Sequence, residues 1–118
     1  MVTTDGDDVS TAGLPNKWAF KDEWYNLIPY PSFVRVLLET DQATSTKDRS
    51  GGHPGHAVLG EKHPLSWCQY YDGGRAWLTT LGHDVAAWSE AELKGDEYFK
   101  EHVVQGLQSA MGVQAFCK

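Results

Sequence analysis

The groups best suited to acid–base or ligand chemistry cluster around one stretch, HPLSWCQYYDGGRAWLTTLGH at residues 63–83, which carries a histidine at each end. His83 follows Gly82, where the backbone can turn sharply and leave the imidazole facing a cleft. Imidazole titrates near neutrality and binds metals, so His83 is the leading candidate for acid–base or ligand duty, the alternative being a satisfied structural histidine. Asp22 and Glu23 precede Trp24 and Tyr25 in DEWY. In an extended segment neighbouring side chains point to opposite faces, so one carboxylate would enter a pocket beside His83 while the other binds backbone or solvent. Glu23 is preferred for the pocket, as general base, metal ligand or acceptor for hydroxyls. His63, next to Pro64, is either a further member of this set or a loop residue. Trp67 and Trp77 offer flat faces for a ring-shaped ligand, or else fill a core.

The positions of these groups depend on the elements between them. Leu65–Tyr71 and Arg75–Leu81 are apolar and rich in aromatic and β-branched residues, and Asp72-Gly73-Gly74 joins them. That pattern predicts an antiparallel hairpin whose turn supplies positive φ angles. His63 and His83 then share its open end, and Arg75 lies at the turn end in a structural role. Two further strands are predicted at Glu23–Leu27 and Phe33–Glu39, separated by Pro29 and Pro31, the second being interior because its apolar residues occupy both faces. Residues 1–21 read as a loop that enters structure late. Asp84 is placed to cap a turn over residues 85–88, and Asp96 to cap a final helix with Phe99, Val103, Gly106, Leu107 and Ala110 on its apolar stripe. Gly112 stops that helix, leaving residues 113–118 as a tail. Residues 41–62, polar and rich in Gly, Ser and Thr, predict a long flexible loop, in which His53 and His56 supply no more than adventitious metal binding.

Composition narrows the function classes. A chain of 118 residues with 41% hydrophobic and 22% charged residues supports one domain with a single core. A net charge of −6 excludes nucleic acid as a partner, since that binding rests on clustered Lys and Arg. No apolar run reaches the roughly 20 residues that span a bilayer, so no membrane partner is expected. Cys68 and Cys117 form neither a framework nor a C-x-x-C pair and read as buried thiols. No Walker, dinucleotide, G-x-S-x-G or G-x-C-G-G fingerprint occurs, so phosphate-loop and classical nucleophile chemistries lack support.

Together with AGLP at 12–15, DEWY at 22–25 and FKEHVVQGLQSAMG at 99–112, the hairpin region resembles the C-terminal half of the trehalose-utilisation (ThuA-like) family. The resemblance runs from about Val2 to Gly112, with Asp8-Val9 standing where the family usually has a His-Pro pair. It implies an α/β, flavodoxin-like layered sheet of the class I glutamine amidotransferase-like kind, present only as its C-terminal half. Residues 1–118 would then be one partial domain. It further implies a role in using trehalose or a related small sugar. His83, Glu23, Asp22 and His63 would be the catalytic set, with Trp24, Tyr25 and Trp67 against the substrate, and the cofactor stays open between none and a divalent metal. The alternatives are a non-catalytic carbohydrate-binding module and an inactive truncated fragment. A homo-oligomer, or a second polypeptide supplying the missing N-terminal half, would cover an exposed sheet edge.

Overall fold

In the computed structural model the chain is described over residues 2–25, 27, 29–41, 44, 63–84, 87, 88 and 96–118. The hairpin forms as its residues predict. Its strands are Pro64–Tyr71 and Gly74–Thr79, paired in register from Ser66 opposite Thr79 to Tyr71 opposite Gly74. Asp72 and Gly73 make the whole turn, with φ of 48° and 76°. Two consecutive positive φ angles give a tight connection whose twist matches that of the strands. Gly74 therefore opens the second strand rather than belonging to the turn.

In chain order the strands are β1 (Val2–Thr4), β2 (Lys17–Trp18), β3 (Arg35–Thr40), β4 (Pro64–Tyr71) and β5 (Gly74–Thr79). They form one sheet in the order β2-β1-β3-β4-β5, and every pairing is antiparallel. A helix α1 (Asp96–Met111) completes a small α/β fold, and a 3-10 turn spans Val9–Thr11. β3 is interior, as its apolar character requires, although it starts at Arg35. Phe33 lies outside it, fully exposed with φ of 61°.

Two sequence expectations are corrected here. Residues 1–21 are not a late-entering loop, because β1 lies inside the sheet between β2 and β3 and fully buries Val2. Strands of two and three residues are too short to show an alternating pattern. Conversely, residues 22–25 and 27 form no strand. Their backbone is held by side chains, as the site shows.

The main core joins Val2, Trp18, Phe20, Leu38, Leu65, Leu81 and Phe99. The pairing register shifts between Val36 and Leu38, and the adjacent Leu37 and Leu38 are both buried. Leu38 enters the main core, and Leu37 a second cluster with Cys68 and Phe116. That second cluster corrects the reading of the cysteines. Cys68 and Cys117 form a disulfide, with Cα atoms 5.7 Å apart, rather than two thiols. The chain after the helix consequently docks: Phe116 is buried, the Ala115 carbonyl accepts from Ser109 Oγ at 2.9 Å, and the Gln114 amide donates to the Gln105 carbonyl at 2.9 Å.

α1 presents a buried line of Phe99, His102, Gly106 and Ser109. Leu107, expected on the stripe, is instead 52% exposed, because Gly106 takes the contact with Trp77. The helix ends on Gly112 at φ of 80°, where the Val113 N–H donates to Gln108 and the Gly112 N–H to Ser109. These bonds satisfy carbonyls that the last turn leaves orphaned. Arg75 donates to the Ala110 carbonyl at 2.8 Å, so the hairpin's turn end caps the helix C-terminus, a structural contact as expected.

A Cβ on Gly106 would stand 2.0 Å from Trp77 Cε2 and 2.2 Å from Cζ2. Gly106→Ala should gain about 1 kcal/mol of helix propensity but lose more through overpacking, which costs about 1–3 kcal/mol and sits at the upper end for so deep an overlap. The expected net result is a lower urea midpoint than the native protein. An unchanged or raised midpoint would mean that Trp77 yields freely.

Candidate functional site

Gly82, His83 and Asp84 follow β5, and His63 precedes β4, so the open end of the hairpin carries both histidines. Asp22 organises the loop. Its Oδ2 accepts from the Gly82 N–H at 2.6 Å and the His83 N–H at 3.3 Å, and its Oδ1 from the Asp84 N–H at 3.1 Å. Charge-assisted bonds to successive amides fix the loop backbone. Gly82 is at φ of 101°, and a Cβ there would meet Phe99 and Trp88 atoms at 2.9 Å. Glycine is required by backbone and by space alike.

With its backbone so held, the His83 ring projects to the surface, its side chain 47% exposed. Nδ1 lies 2.7 Å from the Tyr25 hydroxyl, and Nε2 lies 3.4 Å from Glu23 Oε2. Glu23 and Tyr25 are themselves exposed. Of the paired acids, Glu23 reaches the ring and Asp22 the amides.

His63 is placed differently. It is 1% exposed, and its Nε2 donates to the Tyr25 carbonyl at 3.0 Å. The same carbonyl accepts from the Tyr30 hydroxyl at 3.1 Å. The Tyr30 ring packs edge-on against His63 and Trp67, and burial raises its phenol above the ordinary value, a hydrogen bond with the Leu27 backbone offsetting part of that. Tyr25 thus links the two histidines, through its carbonyl to the buried one and its hydroxyl to the exposed one. His63 supports the rim from below and presents no open face to a ligand.

Trp67 and Trp24 also turn inward. Trp67 is only 4% exposed, so its ring face is closed to a stacking ligand, and Trp24 packs against the main core. The expected substrate contact by Trp67 is replaced by packing against Tyr30, and of the three aromatic candidates Tyr25 stays at the surface. Sequence reasoning missed Tyr30, whose setting between Pro29 and Pro31 was a signal of a fixed conformation, and Trp88, whose Nε1 donates to the Gly82 carbonyl at 2.8 Å.

His83 and Glu23 are ligands of metal-binding type. Among the described residues, however, no group of three or more His, Cys, Asp or Glu could hold a metal ion. His53, His56 and nearly all of the 41–62 loop lie outside the described residues, as do residues 85 and 86 of the turn expected over 85–88. A shallow concavity of about 250 Å³ between β1 and β3, lined by Thr3, Thr4, Asp5, Val36, Leu37 and Glu39, contains none of the rim residues. Among the described residues no helix is long and apolar enough to cross a membrane.

A family model described as ThuA, trehalose utilisation, matches residues 1–110. Comparison with curated proteins and with solved structures gave no match.

Proposed function

Because the chain belongs to the ThuA, trehalose-utilisation family, we propose that it binds a small sugar, trehalose or a relative, at the rim formed by Glu23, Tyr25 and His83. The observation that carries this reading is the exposed His83 imidazole held between a carboxylate and a phenol. Sugar hydroxyls both donate and accept, and the rim offers them a carboxylate and a phenol backed by an imidazole. The exposed Tyr25 ring adds an apolar face for the C–H surface of a pyranose. Asp22 and His63 hold the rim in place, and acid–base work on the bound sugar would fall to His83 and Glu23. We take the sheet and helix as part of a flavodoxin-like, amidotransferase-like layered fold.

The open setting of the rim favours a second reading, a binding module that forms no product. Calorimetric titration with trehalose separates the cases when combined with product analysis. His83→Ala should weaken trehalose binding about tenfold or more with little change in melting temperature. Equal affinity in the variant would remove the rim from the binding site, and heat of binding without product would assign the module.

A further inference from the structure

We infer that Tyr25 Oη, rather than the His83 ring, is the atom that meets a sugar hydroxyl, with His83 as its internal proton acceptor and Glu23 as the group that sets the tautomer. The choice of sugar as ligand rests on the function proposed above; the proton arrangement does not. Glu23 Oε2 faces His83 Nε2 at 3.4 Å, and a carboxylate can only accept. In a neutral imidazole a proton on Nε2 would face that carboxylate, and this tautomer leaves Nδ1 as an acceptor. Nδ1 is 2.7 Å from Tyr25 Oη, so in that tautomer the phenol donates to it. Nδ1 is then occupied within the protein, and Nε2 faces Glu23. Tyr25 Oη keeps its lone pairs while its proton is committed inward, and it faces an incoming ligand purely as an acceptor.

The backbones behind both partners are pinned by separate sets of bonds. Asp22 holds the amides of Gly82, His83 and Asp84, and the Tyr25 carbonyl is held by His63 and Tyr30. A side chain resting on a fixed backbone loses less freedom when it engages a ligand, which is how a supporting shell improves a surface site. The arrangement repeats the logic of a triad, in which a hydroxyl is activated by an imidazole oriented by a carboxylate. The proton balance closes without a co-reactant. The ligand O–H breaks with its electron pair staying on the ligand oxygen, and that proton bonds to Tyr25 Oη as the phenol's own proton passes to Nδ1. The resulting imidazolium faces Glu23. Binding requires only the first contact, so Tyr25 sets specificity for a donor hydroxyl even where no proton is transferred.

The test is ¹⁵N-resolved NMR of the imidazole together with trehalose titration, on the native protein and on Tyr25→Phe. Tyr25→Phe keeps the ring and the carbonyl that His63 and Tyr30 hold, and near-ultraviolet circular dichroism checks that it folds. The native protein should show His83 as the Nε2–H tautomer, with an Nδ1 resonance that moves in Tyr25→Phe, and the variant should bind trehalose about fivefold or more weakly. An Nδ1–H tautomer, or an Nδ1 resonance indifferent to Tyr25, overturns the inference whatever the sugar result. Should the tautomer and its Tyr25 dependence hold while trehalose binds neither protein, the proton arrangement stands and the sugar reading falls.

Discussion

Replacing Cys117 with serine should lower the stability of the fold by about 4 kcal/mol, the chain-entropy value for releasing a closed loop of this size. The bridge to Cys68 spans a sequence separation of 49 residues, so its loss frees much of the chain in the unfolded state. The folded state loses less. Phe116 remains packed with Leu37, and Ser109 and Gln114 still hold the last residues. For a chain of this length the effect corresponds to roughly 15 °C in melting temperature. Comparing thermal unfolding of the native protein, the same protein reduced, and Cys117→Ser measures it, with the latter two expected to coincide. Equal melting temperatures for all three would contradict the account. Bridges of this kind persist in oxidising compartments and are rare where glutathione keeps thiols reduced, so the redox state of the sample must be fixed in any stability measurement.

Acid should unfold the protein through His102. This imidazole is fully buried on α1, tilted against the Trp77 ring with centroids 4.9 Å apart, and its Nε2 lies 3.1 Å from Thr79 Oγ1. Burial disfavours the imidazolium and lowers the pKa from 6.5 to about 3. The folded-state value lies below the unfolded one, so between them the unfolded chain binds more protons. Stability from this group is complete above pH 6.5 and falls as pH drops toward 3, at about 1.4 kcal/mol per pH unit. Urea midpoints at several pH values, for the native protein and His102→Leu, isolate the term because other titrating groups cancel in the difference. The native protein should lose stability on acidification more steeply than the variant. Parallel profiles would show that His102 accepts a proton in the folded state.

Why some of this was legible in the residues and some was not follows from how local each cause is. Asp72-Gly73 fixes a hairpin by its own φ angles, and Gly112 stops a helix by its own, so both were readable. The open end of that hairpin puts His63 and His83 together, the alternation of an extended segment singles out Glu23, and the family resemblance adds Tyr25. By contrast, β1 depends on pairing Thr3 with Glu39, far along the chain, and three residues carry no period of their own. The disulfide was unreadable for the same reason: nothing near Cys68 announces Cys117. The exposure of Leu107 follows from Trp77 seating on Gly106, a contact between a strand and a helix. Trp24 and Trp67 looked available for a ligand only because an aromatic in a sequence does not say which side is covered.

Residues 22–25 lie outside every strand and are fastened by side-chain bonds to the loop after β5, to His63 and to Tyr30. That segment is a faceplate carried by the sheet rather than a part of it. New side chains at Glu23 or Tyr25 would change the chemistry offered at that surface while leaving the ladder untouched, because neither residue takes part in strand pairing.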